Sequence, residues 1–123
     1  MGLLGNLFGG GPKVTPSPVR TMAAFSDLVV KSDIPVIVDV WSESCAPCKK
    51  LVPVLVNVAT KHDGRVRVVE INTDAEPALL SRLKVRATPT LIMFERGKEV
   101  GRMSGFRPEG WFDEMIDAEF PES

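Results

Sequence analysis

An almost unbroken apolar run, Val36-Ile37-Val38-Asp39-Val40-Trp41, leads through Ser42-Glu43-Ser44 into Cys45-Ala46-Pro47-Cys48-Lys49-Lys50. The run has the composition of a strand buried on both faces of a sheet, and the Cys-x-x-Cys pair stands where a helix should begin. Cys45 and Cys48 are the only cysteines in 123 residues, so neither has a spare partner elsewhere in the chain. Two intervening residues let the sulfurs bond to each other across one turn. A helix start at that place aims backbone N–H groups and the positive end of the helix dipole at the first sulfur. That favours the thiolate, the form that attacks disulfides. The pair reads as a reversible redox couple.

Two other readings compete with it. A structural zinc site needs four ligands; the cysteines offer two, and His62, the only histidine, adds a third at best. Asp or Glu would have to complete it, because the finger spacing lacks its second His. A purely structural disulfide would close a very small loop and constrain the unfolded chain little.

The length fits one domain with a single core. A net charge of −1 offers no electrostatic case for nucleic acid or a membrane surface as partner. Met1 to Gly11 has no basic residue, and Leu3-Leu4-Gly5-Asn6-Leu7-Phe8 is short for a signal-peptide core. Asn6 stands where myristoylation of Gly2 would call for Ser or Thr, and no run approaches transmembrane length. The expectation is a cytoplasmic monomer without stable membrane association.

Composition divides the chain near residue 18. Gly9-Gly10-Gly11-Pro12, followed by Pro16 and Pro18, reads as a flexible linker. Before it, Leu3, Leu4, Leu7 and Phe8 fall on a helical stripe interrupted by Gly5. That stretch is either a frayed terminus or a small apolar tag for a partner, a membrane edge or the domain itself. Residues 19–123 form the domain. Thr21 is a candidate N-cap for a helix through Lys31, with Met22, Phe25, Leu28 and Val29 on one face. After the strand from Val36, residues 66–71 form a second apolar run, and Asp74 is expected to cap a helix from Pro77 to Leu83. Thr90 to Phe94 and Glu99 to Met103 flank Arg96-Gly97-Lys98, a hairpin signal. A last helix runs from about Pro108 to about Glu119. Val52, Val54, Val56 and Val58 alternate like a strand, yet Pro53 opposes a central strand. The expectation there is a kinked helix reaching His62. The order β-α-β-α-β-β-α, with a further strand near Val19, predicts an α/β fold whose mixed central sheet is covered by helices on both faces.

These residues resemble the thioredoxin family. The likeness rests on Val36 to Trp41 leading into Cys45-Ala46-Pro47-Cys48-Lys49, on Glu70-Ile71-Asn72-Thr73-Asp74, and on Val85-Arg86-Ala87-Thr88-Pro89-Thr90-Leu91. Gly97 and Gly105 fall where family glycines fall, and the likeness spans about residues 19–119. It implies a thioredoxin fold, Cys45 as attacking thiolate, Cys48 as resolving thiol, and Thr88-Pro89 as a cis-proline loop facing the redox pair. It also implies protein disulfides as substrates, an NADPH-dependent thioredoxin reductase as electron source, and no bound cofactor or metal. Two departures from the common Trp-Cys-Gly-Pro-Cys pattern, Ser44 and Ala46, alter the substrate-docking rim and leave the reacting groups in place.

Asp39 is costly inside an apolar strand unless it has a task or a partner. One reading makes it the proton acceptor for Cys48; the other is an ordinary buried Asp satisfied by backbone donors or sitting at a sheet edge. Trp41 packs in the core and borders the site. Pro47 restrains the turn, and Trp41, Ser44, Ala46, Pro47, Thr88 and Pro89 are the candidate substrate contacts. His62 reads as a helix-capping residue. The leading expectation is a thiol-disulfide oxidoreductase that reduces protein disulfides. Its rival is a thioredoxin-fold binding module or chaperone subunit tethered by residues 1–18.

Overall fold

The computed structural model describes residues 12–121. Its elements are β1 (Ser17–Pro18), α1 (Met22–Phe25) continued by a π-helical turn over Ser26–Val30, β2 (Val36–Trp41), α2 (Ala46–Lys61), β3 (Arg67–Asn72), α3 (Pro77–Leu83), β4 (Thr90–Glu95), β5 (Lys98–Ser104) and α4 (Glu109–Glu119). The strands form one sheet in the order β1-β3-β2-β4-β5. β2 is parallel to β3 and antiparallel to β4, so the sheet is mixed as the element order predicts.

Side-chain alternation along the strands decides which residues meet which helices. Val36, Val38 and Val40 of β2 join the core under α1 and α3, with Val69, Ile71, Ile92 and Phe94. Ile37 faces the other way, toward the core under α2 and α4, with Val68, Leu91 and Met93. By the same alternation Asp39 and Glu70, opposite each other in the β2–β3 register, lie on the α2 face. Leu51, Leu55 and Val58 of α2 and Phe112 and Ile116 of α4 cover that face.

The helix expected to reach His62 is present as Ala46–Lys61, with Pro47 in its first turn, Pro53 inside it and His62 as C-cap. Alternate residues in a helix lie roughly 200° apart, so the four valines do not share a face. Val52 is exposed, Val54 and Val56 are half-buried, and Val58 is buried. At the β4–β5 hairpin, Arg96 and Gly97 both take positive φ, 53° and 81°. A Cβ on Gly97 would also stand 2.9 Å from the Val30 carbonyl oxygen, so only glycine fits.

Three local expectations change. Thr21 is the N-cap, its Oγ1 accepting the Ala24 N–H at 3.0 Å, but the helix widens into the π turn after Phe25. There the Lys31 N–H donates to the Ser26 carbonyl at 2.9 Å, and the Leu28 carbonyl accepts from Arg67 Nη1 at 2.7 Å. Asp74 does not cap α3. The N-cap is Glu76, because Asp74 lies too far ahead of Pro77; its carboxylate pairs with Arg20 at 3.0 Å instead. Residues 14–18, read from sequence as linker, lie on the domain. Val14 packs against the α2-face core, and Ser17 and Pro18 pair with Val69 and Glu70. The expectations for residues 1–11 lie outside the described residues.

Candidate active site

The redox pair forms where β2 gives way to α2. Cys45 is the N-cap of α2, in extended backbone, and the Cys48 N–H donates to its Sγ at 3.2 Å. The first sulfur thus meets a helix N-terminus, as the Cys-x-x-Cys spacing predicts. Cys45 and Cys48 are joined in a disulfide with Cα atoms 5.2 Å apart. Among the described residues no group of three or more His, Cys, Asp or Glu gathers to hold a metal ion. Cys45 is the more accessible of the two, 9% exposed against 2% for Cys48.

Behind the pair, Asp39 is buried, and its Oδ1 has no hydrogen-bond partner among the described residues. Burial first, and the neighbouring Glu70 charge second, push its carboxyl up from 3.8 to about 7. Asp39, Glu70 and Cys48 share one groove of about 370 Å³ with Trp41, Lys49 and Val52. The Trp41 indole N–H donates to the Glu70 carboxylate, which holds the ring at the edge of this groove.

In front of the pair, Ser44, Ala46 and Pro47 are exposed around Cys45. The Thr88–Pro89 peptide is cis. Two contacts fix that loop: the Ser42 and Thr88 hydroxyls meet at 3.0 Å, and the Gly105 N–H donates to the Pro89 carbonyl at 2.9 Å. Phe106 follows Gly105 and is 38% exposed. Sequence reasoning named neither Ser42 nor Phe106. Ser42 finds its partner 46 residues away, a pairing that no local pattern encodes. Phe106 was legible only as an aromatic beyond a glycine. His62 stands apart from the site, its Nε2 2.7 Å from Asp113 Oδ1 on α4.

A mixed sheet that presents a helix-capping disulfide beside a buried carboxyl and a cis-proline loop defines a class of dithiol-disulfide exchange proteins. Comparison with known proteins agrees. A sequence model of the family described as Thioredoxin matches residues 17–118. Thioredoxin 1 of Nostoc sp. is 34% identical over 97 residues, covering 79% of this chain and 91% of that protein. Thioredoxin 1 of Synechococcus elongatus is 36% identical over 97 residues with the same coverage, 79% and 91%. Among solved structures, a mutant thioredoxin from Halobacterium salinarum NRC-1 superposes with a TM-score of 0.78 at 28% identity, over 89% of this chain and 93% of that one. The chain belongs to the thioredoxin family and has the thioredoxin fold. It is a thiol-disulfide oxidoreductase with protein-disulfide reductase activity and a redox-active disulfide, a component of cell redox homeostasis. The family implies disulfide-bearing substrates and a reductase. No helix among the described residues is long and apolar enough to cross a membrane.

Proposed function

We propose that Cys45 is the attacking thiol, Cys48 the resolving thiol and Asp39 the proton acceptor in the reduction of protein disulfides. One observation carries the assignment: Cys45 caps the helix, its sulfur accepting a backbone N–H, while Cys48 is buried one turn in and shares a groove with Asp39. In the reduced protein the Cys45 thiolate attacks one sulfur of the substrate disulfide. The other substrate sulfur leaves as a thiolate and takes a proton from solvent. Cys48 then gives its proton to Asp39, attacks Cys45 Sγ and expels the second substrate thiolate. Two electrons pass to the substrate, and the Cys45–Cys48 disulfide forms. A dithiol supplied by an NADPH-dependent thioredoxin reductase returns the pair to the reduced state.

Trp41, Ser44, Ala46, Pro47, Thr88 and Pro89 form the docking rim, with Phe106 as an additional aromatic contact. The protein works as a cytoplasmic monomer, and residues 1–11 take no part in the chemistry. Single Cys→Ser variants test the roles. Cys45→Ser should abolish insulin reduction and form no mixed disulfide, whereas Cys48→Ser should accumulate one through Cys45. Trapping through position 48 in the Cys45→Ser variant would reverse the assignment.

A further inference from the structure

The β2–β4 ladder ends at the pair Val40 and Thr90, and beyond it the two chains lead to the two halves of the docking rim. β2 runs on through Trp41 and Ser42 to Cys45, while the stretch ahead of Thr90 carries Thr88 and Pro89. Each half is braced on its outer side. The Thr73 N–H donates to the Trp41 carbonyl and the Gly105 N–H to the Pro89 carbonyl, both at 2.9 Å. Within the second half, the Thr90 hydroxyl donates to the Ala87 carbonyl at 2.5 Å. Among the described residues, one hydrogen bond joins residues 42–48 to residues 84–89: the Ser42 and Thr88 hydroxyls meet at 3.0 Å. Both side chains are half-buried, and a hydrogen bond is stronger in such a partly desolvated place than in bulk water.

We propose that Ser42 is a positioning residue for disulfide reduction: through Thr88 it fixes the separation of Cys45 from the Thr88–Pro89 edge before substrate arrives. The Cys45 N–H donates to the Ser42 carbonyl at 3.3 Å. The residue that holds Thr88 is thus tied directly to the residue that carries the attacking sulfur. A protein substrate must reach Cys45 and lie against Thr88 and Pro89 at once. With the bridge in place, the gap between them is set in the free protein, and docking does not have to order the loop. Preorganisation of this kind strengthens binding by removing an ordering cost. A small disulfide that needs only Cys45 gains nothing from it. The inference rests on Cys45 as the attacking thiol and on Thr88 and Pro89 as substrate contacts.

Steady-state kinetics with two substrates test this: insulin, and the small aromatic disulfide dithiobis(nitrobenzoate). Ser42→Ala should raise KM for insulin about fivefold, the fold-change of one lost hydrogen bond between neutral groups, with kcat unchanged. Its rate with dithiobis(nitrobenzoate) should equal that of wild type, which also reports an intact fold. Ser42→Thr keeps the hydroxyl and should hold KM within about twofold of wild type. Thr88→Val keeps the side-chain shape without the hydroxyl and should raise KM for insulin as Ser42→Ala does. The double variant Ser42→Ala, Thr88→Val should be no worse than either single one, because the two hydroxyls share one bond. A Ser42→Ala protein with unchanged KM would overturn the proposal. So would single effects that multiply in the double variant, or a loss with the small disulfide equal to that with insulin. Failure of the underlying role assignment shows separately, as absence of a trapped mixed disulfide in Cys48→Ser.

Discussion

α2 has a buried titratable side chain at each end, and the two ends treat it in opposite ways. Asp39, 4% exposed, lies behind the first turn with one carboxyl oxygen unpartnered among the described residues. His62, 8% exposed, closes the last turn and is paired with Asp113, which also binds Lys61 at 2.8 Å. Burial alone therefore does not mark a functional group. A buried polar group paired with its neighbours serves the architecture, whereas one left short of partners costs stability and is a candidate for chemistry. The contrast follows from position. The far end of α2 packs against α4, which supplies Glu109 and Asp113 as partners, while the near end opens into the groove beside Cys48.

The largest expected effect is at Asp39. Asp39→Asn should slow insulin reduction by about a hundredfold, the lower range for loss of a positioned acid–base group. Its effect on stability runs the other way. Because the folded carboxyl titrates at about 7 instead of 3.8, the native state holds the extra proton between those values. Wild-type stability is full below 3.8 and declines as pH rises through about 7. Asn removes that penalty, so urea unfolding at pH 8 should show a gain of at most about 4 kcal/mol, and almost none at pH 3.5. A variant that is no more stable at pH 8 and equally active would erase the contrast between the two ends.

At the far end the outcome should be reversed. His62→Ala should cost about 2 kcal/mol of stability through lost packing and a lost hydrogen bond, with kcat/KM for insulin unchanged. A fall in kcat/KM as large as that for Asp39→Asn would show that the far end takes part in the chemistry.

Two smaller tests sharpen the picture. Ser44→Trp puts an aromatic anchor beside Cys45 and should raise kcat/KM for insulin about fivefold, roughly 1 kcal/mol, without changing the potential of the disulfide. No gain in a folded variant would mean that Ser44 has no part in substrate choice. Asp113→Asn is the mildest. Burial tends to raise the Asp113 carboxyl, but hydrogen bonds from Lys61 and His62 and their charges hold it below its usual value. A lowered folded value gives stability that is present above 3.8 and lost as pH falls through the folded value. The pair is partly solvent-screened, so the loss at pH 7 should be under about 1 kcal/mol, and it should be smaller at pH 2. An equal loss at both pH values would assign the effect to packing alone.

Local chemistry was legible without coordinates. The β2 run, the Cys-x-x-Cys turn and the Arg96-Gly97 hairpin each depend on residues within a few positions of one another, where period, turn geometry and helix-start rules apply, while the Thr88-Pro89 loop was read from the family resemblance. Asp39 was legible for a related reason, as a carboxylate inside an apolar strand. The helix through Pro53 was harder, because alternating valines imitate a strand until the helical turn separates them. Tertiary structure alone decided the pairings. Strand register set Glu70 opposite Asp39, and chain folding brought Ser42 to Thr88, Thr60 to Val14 and His62 to Asp113 across 46, 46 and 51 residues. Periodicity shows which face a residue turns inward but not which distant residue it meets there. That is settled only when sheet order and helix packing bring the two faces together, so the redox pair was visible in the sequence while its supporting contacts were not.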